Sequence, residues 1–277
     1  MLKLMYITNN PEVALIAEKH GVDRIWVDLE QLGKEKRQHG LDSVKSSHSI
    51  GDVAKISKLL TKSEMLVRVN PWNEDSPKEI DLVIEAGAQI IMLPMWKNLQ
   101  EVNAFISHIN GRAKNILLLE TREAEDCLDE VLKIDSVDEI HIGLNDLHLS
   151  YGLTFMFELL ANGTVERICK KIEKAGIPYG FGGIAKIGEG TIPAEKIIIE
   201  HYRLGSSMAI LSRSFYDCCK HSDVAEAEHI FSTELAKIRD VENKASSFTV
   251  EEFENNRKDI IRLVKSVATS MKGGMRC

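Results

Sequence analysis

Two patterns of apolar residues alternate along this chain. Short, nearly continuous apolar runs occupy Leu2–Thr8, Arg24–Glu30, Met65–Asn70, Gln89–Met95, Asn115–Thr121, Glu139–Leu144, Pro178–Ile184 and Ser207–Ser212. Runs without polar alternation suit strands covered on both faces, as in a parallel sheet, rather than strands with one wet face. Between them apolar positions recur at helical spacing; Val102, Phe105, Ile106 and Ile109 form one such stripe between Asn98 and Gly111. Local signals bound the helices. Asn10 stands before Pro11, a capping residue followed by one that suits a first turn. Gly21, Gly87, Gly111, Gly176 and Gly205 each precede the next strand by a few residues, as helix stops.

This repeated strand–helix–glycine rhythm predicts an α/β fold, a closed (β/α)8 TIM barrel over residues 1–217. An open doubly wound sheet is the alternative, but no glycine-rich nucleotide loop follows the early strands. The chain is longest after Glu30 and after Asp146, so the added segments fall at C-terminal strand ends, the face where barrels carry chemistry. Residues 218–277 read as a helical extension. Its last helix has an apolar stripe, Ile260, Ile261, Val264 and Val267, which is expected to pack on the barrel or on a neighbouring subunit of a homo-oligomer.

Composition narrows the classes further. The 277 residues are 44% hydrophobic and 28% charged, enough apolar material for a sizeable core and unlike a disordered chain. A formal charge of −7 gives no general attraction for nucleic acid. Five cysteines, an odd number without metal-finger spacing, read as reduced thiols. No apolar run approaches the ~18 residues of a membrane span, and the opening segment is broken early by Asn9, Asn10 and Pro11. The expectation is a soluble, cytoplasmic protein with neither nucleic acid nor membrane as partner.

On a barrel, function belongs where strands run into loops. There the chain places Asp28-Leu29-Glu30, Arg68-Val69-Asn70, Leu93-Pro94-Met95-Trp96, Glu120-Thr121, Asn145-Asp146, the glycines of strand seven and Ser212-Arg213. Glu120 and Asp146 follow successive apolar strands directly, so their carboxylates can share one hard divalent cation; oxygen ligands favour Mg²⁺ or Mn²⁺. The competing reading pairs each with an arginine or makes it a helix cap. Arg68 offers a fixed fork of donors to a carboxylate or oxyanion, or else a structural ion pair with Glu30 or Glu120. Gly182 and Gly183, in Gly180-Phe181-Gly182-Gly183-Ile184-Ala185, expose backbone N–H groups to a ligand carboxylate or phosphate rather than forming a dinucleotide fingerprint. The loop Gln31–Ile50 holds Lys34, Lys36, Arg37, His39, Lys45 and His48, either a solvated segment or a cover for an anionic substrate with His39 or His48 in acid/base work. His148 is a third such candidate, whereas His141 and His201 read as satisfied structural histidines. No G-x-S-x-G nucleophile motif occurs.

In their order these strand ends resemble the HpcH/HpaI aldolase and citrate lyase β-subunit family of the phosphoenolpyruvate/pyruvate barrel superfamily. The resemblance is carried by Gly21-Val-Asp-Arg-Ile-Trp-Val-Asp-Leu-Glu30, Val67-Arg-Val-Asn70, Glu85-Ala-Gly-Ala-Gln-Ile-Ile-Met-Leu-Pro94, Leu117-Leu-Leu-Glu-Thr121 and Ile142-Gly-Leu-Asn-Asp-Leu147. It covers about residues 1–215 and not the C-terminal extension. It implies that Glu120 and Asp146 hold a divalent metal, that Arg68 contacts the keto or enolate oxygen of a pyruvate-like group, and that Glu30 lines the same pocket. One departure stands out: the aldolase branch has a histidine after the glutamate matched by Glu30, the citrate lyase-like branch an acidic residue, and this chain has Gln31.

The expected function is therefore a metal-dependent carbon–carbon lyase or aldolase acting on a small 2-oxo acid and an aldehyde or related electrophile. Arg68, Glu30, His39 and His48 are the catalytic candidates; Arg68, Asn145, Asp146, Gly182, Gly183 and Arg213 are the substrate contacts, and Met95 and Trp96 could wall the pocket. A CoA-ester lyase of the citrate lyase β type is the alternative within the class, with the Lys34–Lys45 loop as its only basic groove. A non-catalytic carboxylate-binding barrel is the alternative outside it, kept open by Gln31.

Overall fold

The computed structural model describes residues 1–33, 48–212, 215–216 and 223–274. Its strands are β1 (Lys3–Ile7), β2 (Arg24–Asp28), β3 (Glu64–Arg68), β4 (Ile90–Leu93), β5 (Lys114–Leu119), β6 (Glu139–Ile142), β7 (Tyr179–Ile184) and β8 (Met208–Leu211). They close into one barrel in sequence order, β1 to β8. The pairs β1–β2, β2–β3, β3–β4, β4–β5 and β7–β8 are parallel. The architecture is thus the TIM barrel that the alternation predicts, and β2, β4 and β6 are buried along their whole length.

Helices intervene after each strand. They are α1 (Pro11–Lys19), α2 (Ile50–Ser57), α3 (Ser76–Glu85), α4 (Leu99–Ile109), α5 (Arg122–Asp126), α6 (Leu128–Val131), α7 (Leu144–Ser150), α8 (Glu158–Ala161), α9 (Thr164–Lys174) and α10 (Ala194–Arg203), followed by α11 (Val224–Ala245) and α12 (Val250–Gly274). Asn10 caps α1 by accepting from the amides of Glu12 and Val13, and Asn98 caps α4 by accepting from Glu101. Each cap satisfies N–H groups that the first helical turn leaves without partners. Of the helix-stop glycines, Gly87 is the most constrained. Its φ is +104° and a Cβ there would lie 2.6 Å from the Ser57 hydroxyl, so no other residue fits.

By its contacts the chain divides into two units, Leu4–Ile140 and Met1–Lys3 with His141–Cys277. Within the first, the strand starts carry a buried ion cluster that the sequence reading did not anticipate. Arg24, fully buried, donates to both oxygens of Glu139 at 2.5 and 2.6 Å and to Glu64 at 3.0 Å, and Lys114 reaches Glu64 at 2.6 Å. Burial alone would lower the arginine's affinity for its proton, but the two carboxylates outweigh it and raise it. Within the second unit, α11 packs on α10, and α12 packs on α8 and α10. The apolar stripe of α12 is the packed face: Ile260, Val264 and Ala268 are buried, while Ile261 and Val267 are half-buried. Among the described residues no helix is long and apolar enough to cross a membrane.

Candidate active site

The register of β2 against β3 sets the first half of the site. Asp28 pairs with Arg68 as the last residues of the two strands, so their side chains leave the sheet side by side. The guanidinium Nε and Nη2 donate to the two Asp28 oxygens at 2.8 Å each, a bidentate fork, and Nη2 lies 3.3 Å from Glu30 Oε2. The group also sits 5.1 Å over the Trp26 ring, which holds its plane. Nη1 has no hydrogen-bond partner among the described residues. Burial would lower the arginine's proton affinity, yet Asp28, Glu30 and Glu120 together raise it well above the ordinary value, so the cation is permanent.

Asp28 is the hub of this arrangement, and the sequence reading gave it no role. Its carboxylate also accepts from the Glu30 amide at 3.2 Å, and its own amide donates to Nδ1 of His48 at 3.0 Å. A ring nitrogen that accepts an amide proton cannot carry one, so the His48 proton resides on Nε2. Asn70, the second residue after β3, pins the start of the loop that follows β2. Its Oδ1 accepts from the Gln31 and Leu32 amides at 2.9 and 3.0 Å, while its Nδ2 donates to Glu79 at 2.8 Å. The signal for both missed residues was polarity at the end of an apolar run, the same signal that marked Arg68.

Glu120 directly follows β5 and is 3% exposed. Its Oε1 accepts from the Met95 amide at 3.0 Å. Thr121 caps α5 by accepting from Ala124 at 3.0 Å and turns its hydroxyl to the Trp96 carbonyl at 3.0 Å. Trp96 is fully buried and Met95 half-buried.

The other unit carries the remaining candidates. Asp146 stands in the first turn of α7, half-buried, beside the exposed Asn145. His148 is buried and bonds through Nδ1 to the Leu144 carbonyl at 3.2 Å. Gly182 sits in a β7 irregularity between Gly180 and Gly183. With φ at +50° and a would-be Cβ 2.7 Å from a Leu144 methyl, it holds β7 against the start of α7 as only glycine can. His141 Nε2 faces the Gly182 carbonyl at 3.2 Å, so that nitrogen carries the proton and donates. His201 stacks on Phe181 at 3.8 Å, and burial, with His141 nearby, pushes its pKa down to about 3. His141 and His201 are thus packed and bonded within the fold. His39 and Arg213 lie outside the described residues, as do Lys34, Lys36, Arg37 and Lys45.

No group of three His, Cys, Asp or Glu side chains able to hold a metal by themselves occurs among the described residues. What the first unit offers is a set of carboxylate oxygens: Asp28, Glu30 and Glu120, each at most 4% exposed, lie around one guanidinium. A hard divalent cation is the natural complement of such a donor set.

Comparison with known proteins agrees with this geometry. The model of the HpcH/HpaI aldolase/citrate lyase family matches residues 3–177. An HpcH/HpaI aldolase from Desulfitobacterium hafniense DCB-2 superposes with a TM-score of 0.60 at 14% identity, covering 86% of this chain and 93% of that one. An HpcH/HpaI aldolase/citrate lyase family protein from Burkholderia cenocepacia J2315 gives 0.58 at 15% identity, with 86% and 95% covered. The citrate synthase SbnG gives 0.56 at 16%, with 86% and 92% covered. At these identities the likeness shows the shared fold. No curated protein matches the sequence.

Proposed function

Because the chain belongs to the HpcH/HpaI aldolase/citrate lyase family, we propose that it is a divalent-metal-dependent carbon–carbon lyase or aldolase acting on a pyruvate-like 2-oxo acid and an aldehyde or related electrophile. The observation that carries this reading is the Arg68 fork. Two of its nitrogens are fixed by Asp28 and Glu30, and Nη1 is left to meet an oxygen where negative charge develops. A guanidinium so held reorganises little during reaction, which is what makes a preset donor effective.

The buried carboxylate of Glu120, at the end of β5 and near Arg68, supports it as one holder of Mg²⁺ or Mn²⁺, and Asp146, from the first turn of α7, is assigned as the second. When bound, that cation supplies Lewis-acid polarisation of the substrate's oxygens. Asn145 and the backbone of Gly182 and Gly183 are assigned to the substrate carboxylate. His48, held neutral with its proton on Nε2 by the Asp28 amide, serves as a hydrogen-bond donor to substrate rather than as the base. This narrows the acid/base assignment left open by Gln31: in the cleavage direction the proton from the adduct's hydroxyl, lost as the carbon–carbon bond breaks to aldehyde and enolate, goes to another group, of which His39 is the remaining histidine candidate from that loop.

Proton NMR of pyruvate in D₂O with the purified protein tests the reading. The methyl signal is expected to decay in the presence of Mn²⁺ or Mg²⁺, to persist with chelator, and to persist in Glu120→Gln and Asp146→Asn. Exchange that is equally fast in both variants overturns the metal assignment. The absence of exchange despite tight pyruvate and metal binding overturns the pyruvate-type chemistry.

A further inference from the structure

Two non-glycine residues among those described have positive φ, Asn110 at +48° and Met95 at +54°. Asn110 needs no special account, since it caps the C-terminus of α4, where asparagine commonly takes the left-handed conformation. Met95 has no such excuse. It follows a strand rather than a helix, and methionine carries a Cβ that the left-handed region disfavours. The conformation is fixed from two sides by consecutive residues of the neighbouring strand end. Glu120 Oε1 accepts from the Met95 amide at 3.0 Å, and the Thr121 hydroxyl donates to the Trp96 carbonyl at 3.0 Å. The fully buried Trp96 side chain anchors the far end of the turn.

A purely structural turn would not need this acceptor. A buried N–H is satisfied as well by a neutral carbonyl, whereas a carboxylate at 3% exposure has given up most of its hydration. Backbone strain that surrounding contacts over-determine, directed at a buried charged group, is the pattern of a site in which the strain serves the chemistry. The arrangement also resembles the outer bonds that orient metal-binding carboxylates.

From this we infer that Met95 is the positioning residue of the Glu120 carboxylate. Its left-handed backbone, and not its side chain, aims the amide at Oε1 and so fixes the direction in which the carboxylate meets a divalent cation. The inference rests on the proposed role of Glu120 as a metal holder. It has an unusual consequence for mutagenesis: removing the side chain is harmless, while keeping an apolar side chain of the wrong shape is not.

Mn²⁺ titration of the full-length protein, read as loss of the free-ion EPR signal, distinguishes the possibilities. Met95→Gly adopts the left-handed conformation freely and is expected to bind Mn²⁺ within about twofold of wild type. Met95→Ile keeps apolar bulk but resists that conformation, and is expected to bind about tenfold or more weakly, the range found when outer-shell partners are lost. Should Met95→Ile fail to fold, Met95→Asn and Met95→Val replace the comparison, with asparagine retaining affinity and the β-branched valine losing part of it. Equal affinity in wild type and the isoleucine or valine variant overturns the role of Met95 alone, as does a glycine variant as weak as isoleucine. Wild-type binding no stronger than that of Glu120→Gln overturns the metal assignment and this inference with it.

Discussion

At the scale of single residues, the site depends on which charge holds which. Arg68 has its orientation from Asp28, so under the proposed function Asp28 acts on the chemistry through the arginine, without needing to touch substrate. In Asp28→Asn the side chain keeps its shape but offers the guanidinium one acceptor and one like-facing donor. Because the pair is almost fully buried, the loss should cost about 1–3 kcal/mol in urea unfolding. Pyruvate proton exchange should fall about tenfold or more, with Glu30 retaining part of the arginine's alignment. Unchanged exchange in a folded Asp28→Asn protein would mean that Arg68 is a structural ion pair. Legibility at this scale was uneven. Arg68, Glu30 and Glu120 stood out because each is an ionisable residue at the end of an apolar run. Asp28 carries the same mark, but the role went to Glu30 two residues on. Met95 left no sequence mark at all, since nothing in Leu93-Pro94-Met95-Trp96 signals a left-handed turn of the kind that glycine or asparagine announces.

At the scale of elements, caps and stops were the most readable features. Asn10 and the glycine stops stand where the structure uses them, because each acts through bonds or backbone freedom local to its own position. Strand ends were read one or two residues too long except in β7, which ends at Ile184 as expected. The short helices α5, α6 and α8 were not foreseen; at four or five residues they are too short for periodicity to show. Contacts between helices were equally invisible. Glu166 of α9 bonds Lys170 at 2.8 Å, Arg203 of α10 at 3.2 Å and Arg257 of α12 at 3.4 Å. The Lys170 bond, opposed by partial burial and reinforced by the two arginines, pulls its pKa down from 4.5 to about 2. A carboxyl whose folded pKa is depressed stabilises the fold above its unfolded value and loses that contribution as the pH falls towards the folded one. Glu166→Gln should therefore be less stable than wild type by about 1 kcal/mol at pH 6, after allowance for solvent screening. The gap should close between pH 4.5 and about 2. Paired urea titrations across that range measure it, and a gap independent of pH would show that the network contributes packing rather than charge.

At the scale of the whole molecule, the closed barrel was legible because it follows from counting strands, each of which announces itself locally. What ties the C-terminal extension down was not, because it joins residues far apart in the chain. Glu242 of α11, fully buried, accepts from the Leu2 amide at 2.5 Å, from Arg239 Nη1 at 2.6 Å and from the Tyr202 hydroxyl at 3.2 Å. Arg239 in turn donates to the Leu2 carbonyl at 2.8 Å, so one buried ion pair closes both backbone groups of the residue that leads into β1. No periodicity or motif could have matched a glutamate in a late helix to the second residue of the chain. Removing the glutamate takes the carboxylate from Arg239 and the acceptor from the Leu2 N–H, and that costs more than the pair itself contributes. Glu242→Ala should therefore lose about 3–5 kcal/mol, whereas the double replacement of Glu242 and Arg239 by methionine should recover most of it. Urea unfolding at pH 7 separates the two. A double variant no more stable than the single one would place the stabilisation in the Leu2 bonds rather than in the ion pair. Because neither residue belongs to the proposed chemistry, pyruvate exchange per folded molecule should stay at the wild-type rate in both, which separates the anchoring of the extension from the work at the strand ends.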